Sequence, residues 1–165
     1  MQEITAILLI LFLPLASFLY QIFFAKKDCH KVPLISILVS LTLSISLFFQ
    51  TFGNGDYLAQ VSWIDIYDFQ VPLGVWINDA AIIMIFVVSL VSFLVHLYST
   101  SYMKGDLRYS RYFAYLGLFT FSMYGIVIAD NLFMIFIFWE LVGLSSYLLI
   151  GFWFEKMSSA YASKK

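Results

Sequence analysis

The stretch FWELVGLSSYLLIGFWF at 138–154 places one carboxylate, Glu140, inside a run of more than twenty otherwise apolar residues. Charge at the centre of a bilayer costs about 2.5 kcal/mol on insertion scales and far more in simulation. A carboxyl at such a depth keeps its proton when alone and releases it when a lysine ammonium stands beside it. A counter-charge that moves would therefore load and unload the acid, which is the elementary step of a proton relay. The competing reading is a permanently protonated glutamate bonded to a helix neighbour. No lysine or arginine lies inside the apolar segments, so the counter-charge is expected from elsewhere. A second candidate is His96, near one end of the third apolar segment, because an imidazole titrates near neutrality and could pass protons between water and the interior. Against it stands a structural imidazole at a helix end, which is the weightier reading.

Other chemistry is excluded by what is missing. Cys29 has no second cysteine with which to form an intramolecular disulfide, and an iron–sulfur cluster usually needs four cysteine ligands. His30 beside it has no metal-ligand spacing to another residue. Neither a GxGxxG nor a GxxxxGK[ST] motif occurs, so no nucleotide site is expected. No cofactor, metal or nucleic-acid partner is expected for this chain.

The elements that must position Glu140 follow from composition. Of the 165 residues, 62% are hydrophobic and only 12% are charged, about half the charged share of an ordinary soluble domain. The expected fold is all-α and integral to the lipid bilayer. Five runs, about 4–24, 33–52, 80–101, 112–129 and 132–154, match the roughly 20 residues that cross a hydrocarbon core of about 30 Å. The opening Met-Gln-Glu lacks the positive start of a signal peptide, so the first run is expected to remain as a helix. If the five runs alternate across the bilayer, all nine basic residues fall on one side: Lys26, Lys27 and Lys31, then Lys104, Arg108 and Arg111, then Lys156, Lys164 and Lys165. The positive-inside rule then puts the N-terminus outside. The loop 53–79 interleaves Trp63, Ile64, Ile66, Tyr67, Phe69, Val71, Val75 and Trp76 with Asp65, Asp68 and Gln70. It is expected as a β-hairpin on the outer rim, reversing near Tyr67–Asp68 with Pro72 at an edge, or else as a Trp-anchored irregular loop.

Helix faces come from spacing. Ser36, Ser40 and Ser44, with Thr42 and Ser46 beside them, form a stripe expected to face another helix and to bond carbonyls one turn back. Gly117 and Gly125 mark close contacts in the fourth segment. At 100° per residue, Gly143, Leu144, Tyr147 and Gly151 share the face of Glu140, with Phe133 and Phe136 sealing it toward the outer end. The acid is therefore expected to look at a close-packed neighbour. At 1.5 Å per residue it lies roughly 13 Å from Asn131 and roughly 21 Å from Phe154.

Three stretches, FLVHLYSTSYM (93–103), RYFAYLGLFTFSM (111–123) and ADNLFMIFIFWELVGLSSYLLIGFWF (129–154), resemble the N-terminal part of chain L of bacterial NADH:quinone oxidoreductase, which is chain 5 of complex I. That family, the antiporter-like proton-pumping subunit, is related to the large subunit of Mrp-type cation/proton antiporters. The resemblance implies that Glu140 is the proton-path acid, paired with a lysine on a later, broken helix. Ser145 stands where many relatives have cysteine. It also implies a single membrane region 1–165, with 1–110 as leading helices and outer loop and 111–165 as the start of the first antiporter-like unit. The fold would be an incomplete, N-terminal piece of a longer subunit.

Function follows as an expectation. The chain would belong to a proton-translocating subunit of an NADH:quinone oxidoreductase, with NADH, flavin, iron–sulfur and quinone sites in partner subunits. Any enzyme label would be inherited from the complex. The expected partners are the other membrane subunits of complex I or of an antiporter complex, and protons or sodium. The expected location is the bacterial cell inner membrane, ahead of mitochondrial inner or thylakoid membranes. The alternatives are an Mrp-type sodium/proton antiporter subunit, a related ion-coupled uptake module, and a non-transporting membrane scaffold.

Overall fold

The computed structural model describes residues 2–24, 30–53, 55–66 and 69–164, with side chains described at 3–24, 30–53, 55–63 and 72–164. Lys26, Lys27, Cys29, Lys165 and the expected reversal at Tyr67–Asp68 lie outside the described residues. Five long helices dominate: α1 (Gln2–Phe23), α2 (Lys31–Thr51), α3 (Asp79–Tyr102), α4 (Tyr109–Ile128) and α5 (Leu132–Ile150). A short helix α6 (Met157–Ser163) follows, and two strands, β1 (Tyr57–Ile66) and β2 (Phe69–Ile77), separate α2 from α3. Each long helix is long and apolar enough to cross a bilayer, so the chain is a multi-pass membrane protein.

The spans agree with the hydropathy pattern except at the end of the fifth. The expected segment ran to Phe154, whereas α5 stops at Ile150 and the chain turns at Gly151, whose N–H donates to the Tyr147 carbonyl at 2.9 Å. The run GFWF is apolar enough to look like more helix, but Phe152 gains more by folding back. It is buried in a cluster with Met103, Tyr109 and Phe113. At their other ends, α3 and α5 begin with asparagine caps. The Asn78 and Asn131 side chains accept from the N–H groups of Ala81 and Met134 at 2.8 and 2.9 Å, satisfying donors that a helix start otherwise leaves open.

Helices α1, α2, α3 and α4 close into a four-helix cluster, each packed against the next and α4 against α1. Helix α5 lies outside that ring and packs on α4. The asymmetry is large: 56% of the α4 span is buried against 11% of the α5 span. Two glycines let α4 occupy this central place. A Cβ at Gly117 would lie 3.0 Å from the carbonyl oxygen of Pro14, inside α1. One at Gly125 would collide with the Phe138 ring of α5. Both glycines are thus contact sites, as their spacing suggested.

The hydroxyl stripe of α2 is narrower than expected. Ser36, Ser40 and Ser44 are buried, and Ser40 and Ser44 donate to the carbonyls of Ser36 and Leu41 at 3.1 and 2.8 Å. Thr42 and Ser46 turn outward instead, because two residues of offset move a side chain by about 200° around the axis. Thr42 donates to the Val39 carbonyl at 2.8 Å.

The segment between α2 and α3 is a β-hairpin and not an irregular loop. Its strands are antiparallel from Tyr57 opposite Ile77 to Ile66 opposite Phe69, with a register shift between Ser62 and Ile64. Pro72, opposite Ser62, sits beside that irregularity, where a missing N–H costs the ladder least. A lone hairpin is marginal in water, and this one is docked on the link between α4 and α5. Gln60 donates to the Asp130 carboxylate at 2.8 Å, and Asn131 to the Pro72 carbonyl at 2.9 Å. Val75 forms a bridge with Ala129.

The described basic residues lie at the end away from the hairpin, where His30, just before α2, meets Tyr109 of α4 ring to ring at 5.9 Å. A cysteine replacing Asp56, beside the hairpin, and one replacing Asp106, between α3 and α4, should accordingly react with an impermeant maleimide from opposite faces of the membrane, Asp56→Cys from outside. Reaction of both from one face would refute the one-sided reading of the basic residues.

Candidate proton site

Helix α5 is built of large apolar residues interrupted by Glu140, Gly143, Ser145 and Ser146. With the helix running from Leu132 to Ile150, Glu140 lies about 12 Å from one end and about 15 Å from the other, nearer mid-span than the longer expected segment implied. The face it occupies is the expected one: Phe133, Phe136, Gly143, Leu144 and Tyr147 share it. What covers it differs. The sequence suggested a close-packed neighbour, but in this chain Glu140 and all five of those residues are exposed. A Cβ at Gly143 would meet nothing within 4 Å, and Phe136 is 60% exposed, so it seals nothing here. The reason is plain in the packing, since α5 uses its opposite side, with Phe138, to meet α4. Phe138 stands edge-on to Phe121 at 5.6 Å. Ser145 is buried and donates to the Val142 carbonyl at 3.0 Å, a role a cysteine could approximate.

His96 lies elsewhere. It is fully buried on the α4-facing side of α3, with its ring 6.0 Å from that of Phe113. Its Nδ1–H donates to the Ser92 carbonyl at 2.8 Å, while Nε2 has no hydrogen-bond partner among the described residues. Helix α4 stands between α3 and α5, so the structure does not bring His96 and Glu140 together.

A set of polar contacts between α3 and α4 went unread in the sequence. Ser89 and the Tyr124 hydroxyl are 2.7 Å apart, Thr120 donates to Ser92 at 3.1 Å, and Ser99 to Tyr112 at 3.4 Å. The spacing of Ser89, Ser92, His96 and Ser99, at three, four and three residues, was the available signal. These bonds satisfy hydroxyls that lipid would leave bare and fasten α3 to α4.

At the basic end, Asp106 organises the return from α5. Its carboxylate accepts from the Arg108 N–H at 2.8 Å and from the Trp153 indole at 3.0 Å. Partial burial acts to raise its pKa, but those two hydrogen bonds and the Arg108 charge outweigh it and hold the carboxyl below its ordinary value. Among the described residues no group of three or more His, Cys, Asp or Glu side chains is placed to hold a metal ion.

Comparison with known proteins meets this geometry from three directions. Residues 63–113 match the family model described as NADH-ubiquinone oxidoreductase (complex I), chain 5 N-terminus. Residues 129–165, which include Glu140, match the model described as NADH:quinone oxidoreductase/Mrp antiporter, TM. The chain is 43% identical over 131 residues to the chloroplastic NAD(P)H-quinone oxidoreductase subunit 5 of Zygnema circumcarinatum, covering 79% of this chain and 19% of that protein. It is 40% identical over 160 residues to the F(420)H(2) dehydrogenase subunit L of Methanosarcina mazei, covering 95% of this chain and 24% of the relative. The chain thus spans about a fifth of the length of the curated relatives it matches. Its fold superposes on a chain of the membrane-bound sulfane sulfur reductase, an archaeal respiratory membrane complex, with a TM-score of 0.79 at 20% identity, over 96% of this chain and 32% of that one. Membrane helices of matching arrangement, two family models in chain order and relatives at 40% identity or more agree: the chain belongs to the chain 5 (chain L) family of NADH:quinone oxidoreductase and corresponds to the N-terminal part of its members.

Proposed function

We propose that this chain acts within a proton-translocating membrane subunit of a quinone-reducing respiratory or photosynthetic complex, with Glu140 as the group that holds the transported proton. The observation that carries this reading is the position of Glu140 at mid-span, on a face of α5 that the described residues leave uncovered. An acid meant only to brace α5 against α4 would point the other way. On the uncovered face it is available to a lysine and to packing surfaces from the rest of the subunit or from neighbouring membrane subunits. Electron-transfer cofactors are assigned to partner subunits. His96 is a structural imidazole in this scheme, because its Nδ1–H is committed to Ser92 and α4 separates it from Glu140.

The transported ion is taken to be the proton. A second reading, an Mrp-type sodium/proton antiporter subunit, is favoured by the wording of the family model over 129–165. The proton-to-electron ratio of membrane vesicles carrying the full-length complex tests the first reading. A ratio that falls when Glu140 is replaced and ignores sodium supports it, and sodium/proton exchange without electron transfer supports the second. We place the protein in the bacterial cell inner membrane, whereas the relatives reported above are chloroplastic and archaeal. Membrane fractionation of the source cells tests that placement, which recovery in thylakoids would overturn.

A further inference from the structure

We propose that the cleft formed at the basic end by α4, the end of α5 and α6 binds the phosphate of an anionic phospholipid. The cleft has a volume of about 300 Å³ and is lined by Arg108, Arg111 and Lys164 over a floor that includes Tyr115, Leu148 and Phe152. Three cations therefore converge on one concavity. Among the described residues the acid paired with them is Glu155, whose carboxylate is 3.6 Å from Arg108 with its side chain 73% exposed. The Asp106 carboxylate is occupied by Trp153 and by the backbone of Arg108. The local balance of these side chains is positive.

The three cations differ in freedom. The Arg108 guanidinium lies over the rings of Phe154 and Phe152, at 4.7 and 5.5 Å, and is held in place. Arg111 and Lys164 are exposed and form no ion pair among the described residues. A guanidinium fork and an ammonium at one cleft suit phosphate oxygens. Gly151 helps to shape the wall: a Cβ there would come within 3.2 Å of Ser163, so the glycine lets α6 close over the end of α5 and bring Lys164 to the cleft.

Place and floor select a lipid over free phosphate. The cleft lies where α4 starts and α5 ends, at the level of headgroups, and basic pockets between membrane helices on the cytoplasmic or matrix side suit anionic headgroups. A glycerol backbone would rest on the apolar side chains of Leu148 and Phe152, which offer an inorganic ion no hydrogen bond. The cations of this site take no part in the role proposed for Glu140, although Tyr147 of the Glu140 face also lines the cleft.

Native mass spectrometry of the chain in detergent, titrated with phosphatidylglycerol, phosphatidylcholine or inorganic phosphate, tests the proposal. One phosphatidylglycerol should be retained per chain in preference to phosphatidylcholine. The double variant Arg111→Gln, Lys164→Gln should bind it about thirty-fold more weakly, at about fivefold per basic residue near the headgroups. Lys31→Gln with Lys104→Gln removes equal charge from the same end but outside the cleft, and should change binding by less than about threefold, as screened charges do. Helicity is checked in each variant, and Lys164→Glu alone, on an exposed side chain, should weaken binding in the same direction. Equal losses in the two double variants would reduce the effect to diffuse attraction, and displacement of the lipid by equimolar inorganic phosphate would remove the lipid from the proposal.

Discussion

In the assembled, full-length complex, Glu140→Gln should slow proton transfer through this subunit by about a hundredfold or more, given that a positioned proton-transfer group contributes typically 10²–10⁴-fold to rate, and so lower the proton-to-electron ratio. Glutamine keeps the size and the hydrogen-bonding outline of the acid but cannot hold or release the proton. Assembly should survive, since Glu140 makes no contact that fastens α5 to α4; that seam runs through Phe138, Phe121 and Gly125. Glu140→Asp retracts the carboxyl by about 1.5 Å, a gap one water can bridge, so it should keep part of the activity. A glutamate that serves only packing predicts the reverse order, with glutamine harmless. The measurement is proton uptake per electron in membrane vesicles, normalised to assembled complex. An unchanged ratio in fully assembled Glu140→Gln would confine the residue to packing.

The second large effect is expected at Gly125. The Phe138 ring occupies the space that a side chain there would need, and both lie on the seam by which α5 is held to the four-helix cluster. Overpacking typically costs about 1–3 kcal/mol and occasionally more. Gly125→Val, with no flexible chain end to yield, belongs at or above the upper figure. Because α5 is secured along one side, the cost should appear as local opening and not as collapse of the α1–α4 cluster. Hydrogen exchange of α5 amides should accelerate by about ten- to a hundredfold, at about 1.4 kcal/mol per factor of ten, while α1 amides change little. Gly143→Ala is the control, since nothing in this chain lies within 4 Å of the added methyl. Equal exchange rates in Gly125→Val and the unsubstituted protein would mean that the Gly125–Phe138 contact does not hold α5 to α4.

The spans were legible because twenty apolar residues in a row have few other uses, and the hairpin was legible as one of two readings because Ile64, Ile66, Phe69 and Val71 are interleaved with Asp65, Asp68 and Gln70 between two such spans. The end of α5 was not legible. Hydropathy sees GFWF as more of the same, and only the burial of Phe152 beside Tyr109 and Phe113 shows why the chain turns back. Periodicity also showed which residues share the face of Glu140, yet it carries no information about what covers that face, since coverage is a property of other segments. His96 presents the same limit from the other side. Its burial depends on Phe113, seventeen positions away, and nothing in FLVHLYSTSYM fixes that meeting. The docking of the hairpin rests on Gln60 and Asp130, seventy positions apart, a distance over which local pattern is silent.

The attachment of α5 has a mechanical meaning. One end is clamped by the Asn131 bond to Pro72 and by the Gly74 N–H on the Met134 sulfur at 3.3 Å. The other is clamped by the Trp153 bond to Asp106 and by Arg108 over Phe154. Between these clamps the helix is braced on one flank and bare on the other. An element held in this way resists sliding along its axis and resists rotation. The Phe138 ring in the space beside Gly125 also braces it at mid-length, two residues from Glu140. The depth of this carboxylate in the membrane is therefore set by contacts inside this chain, and a facing charge supplied by another segment has to come to it.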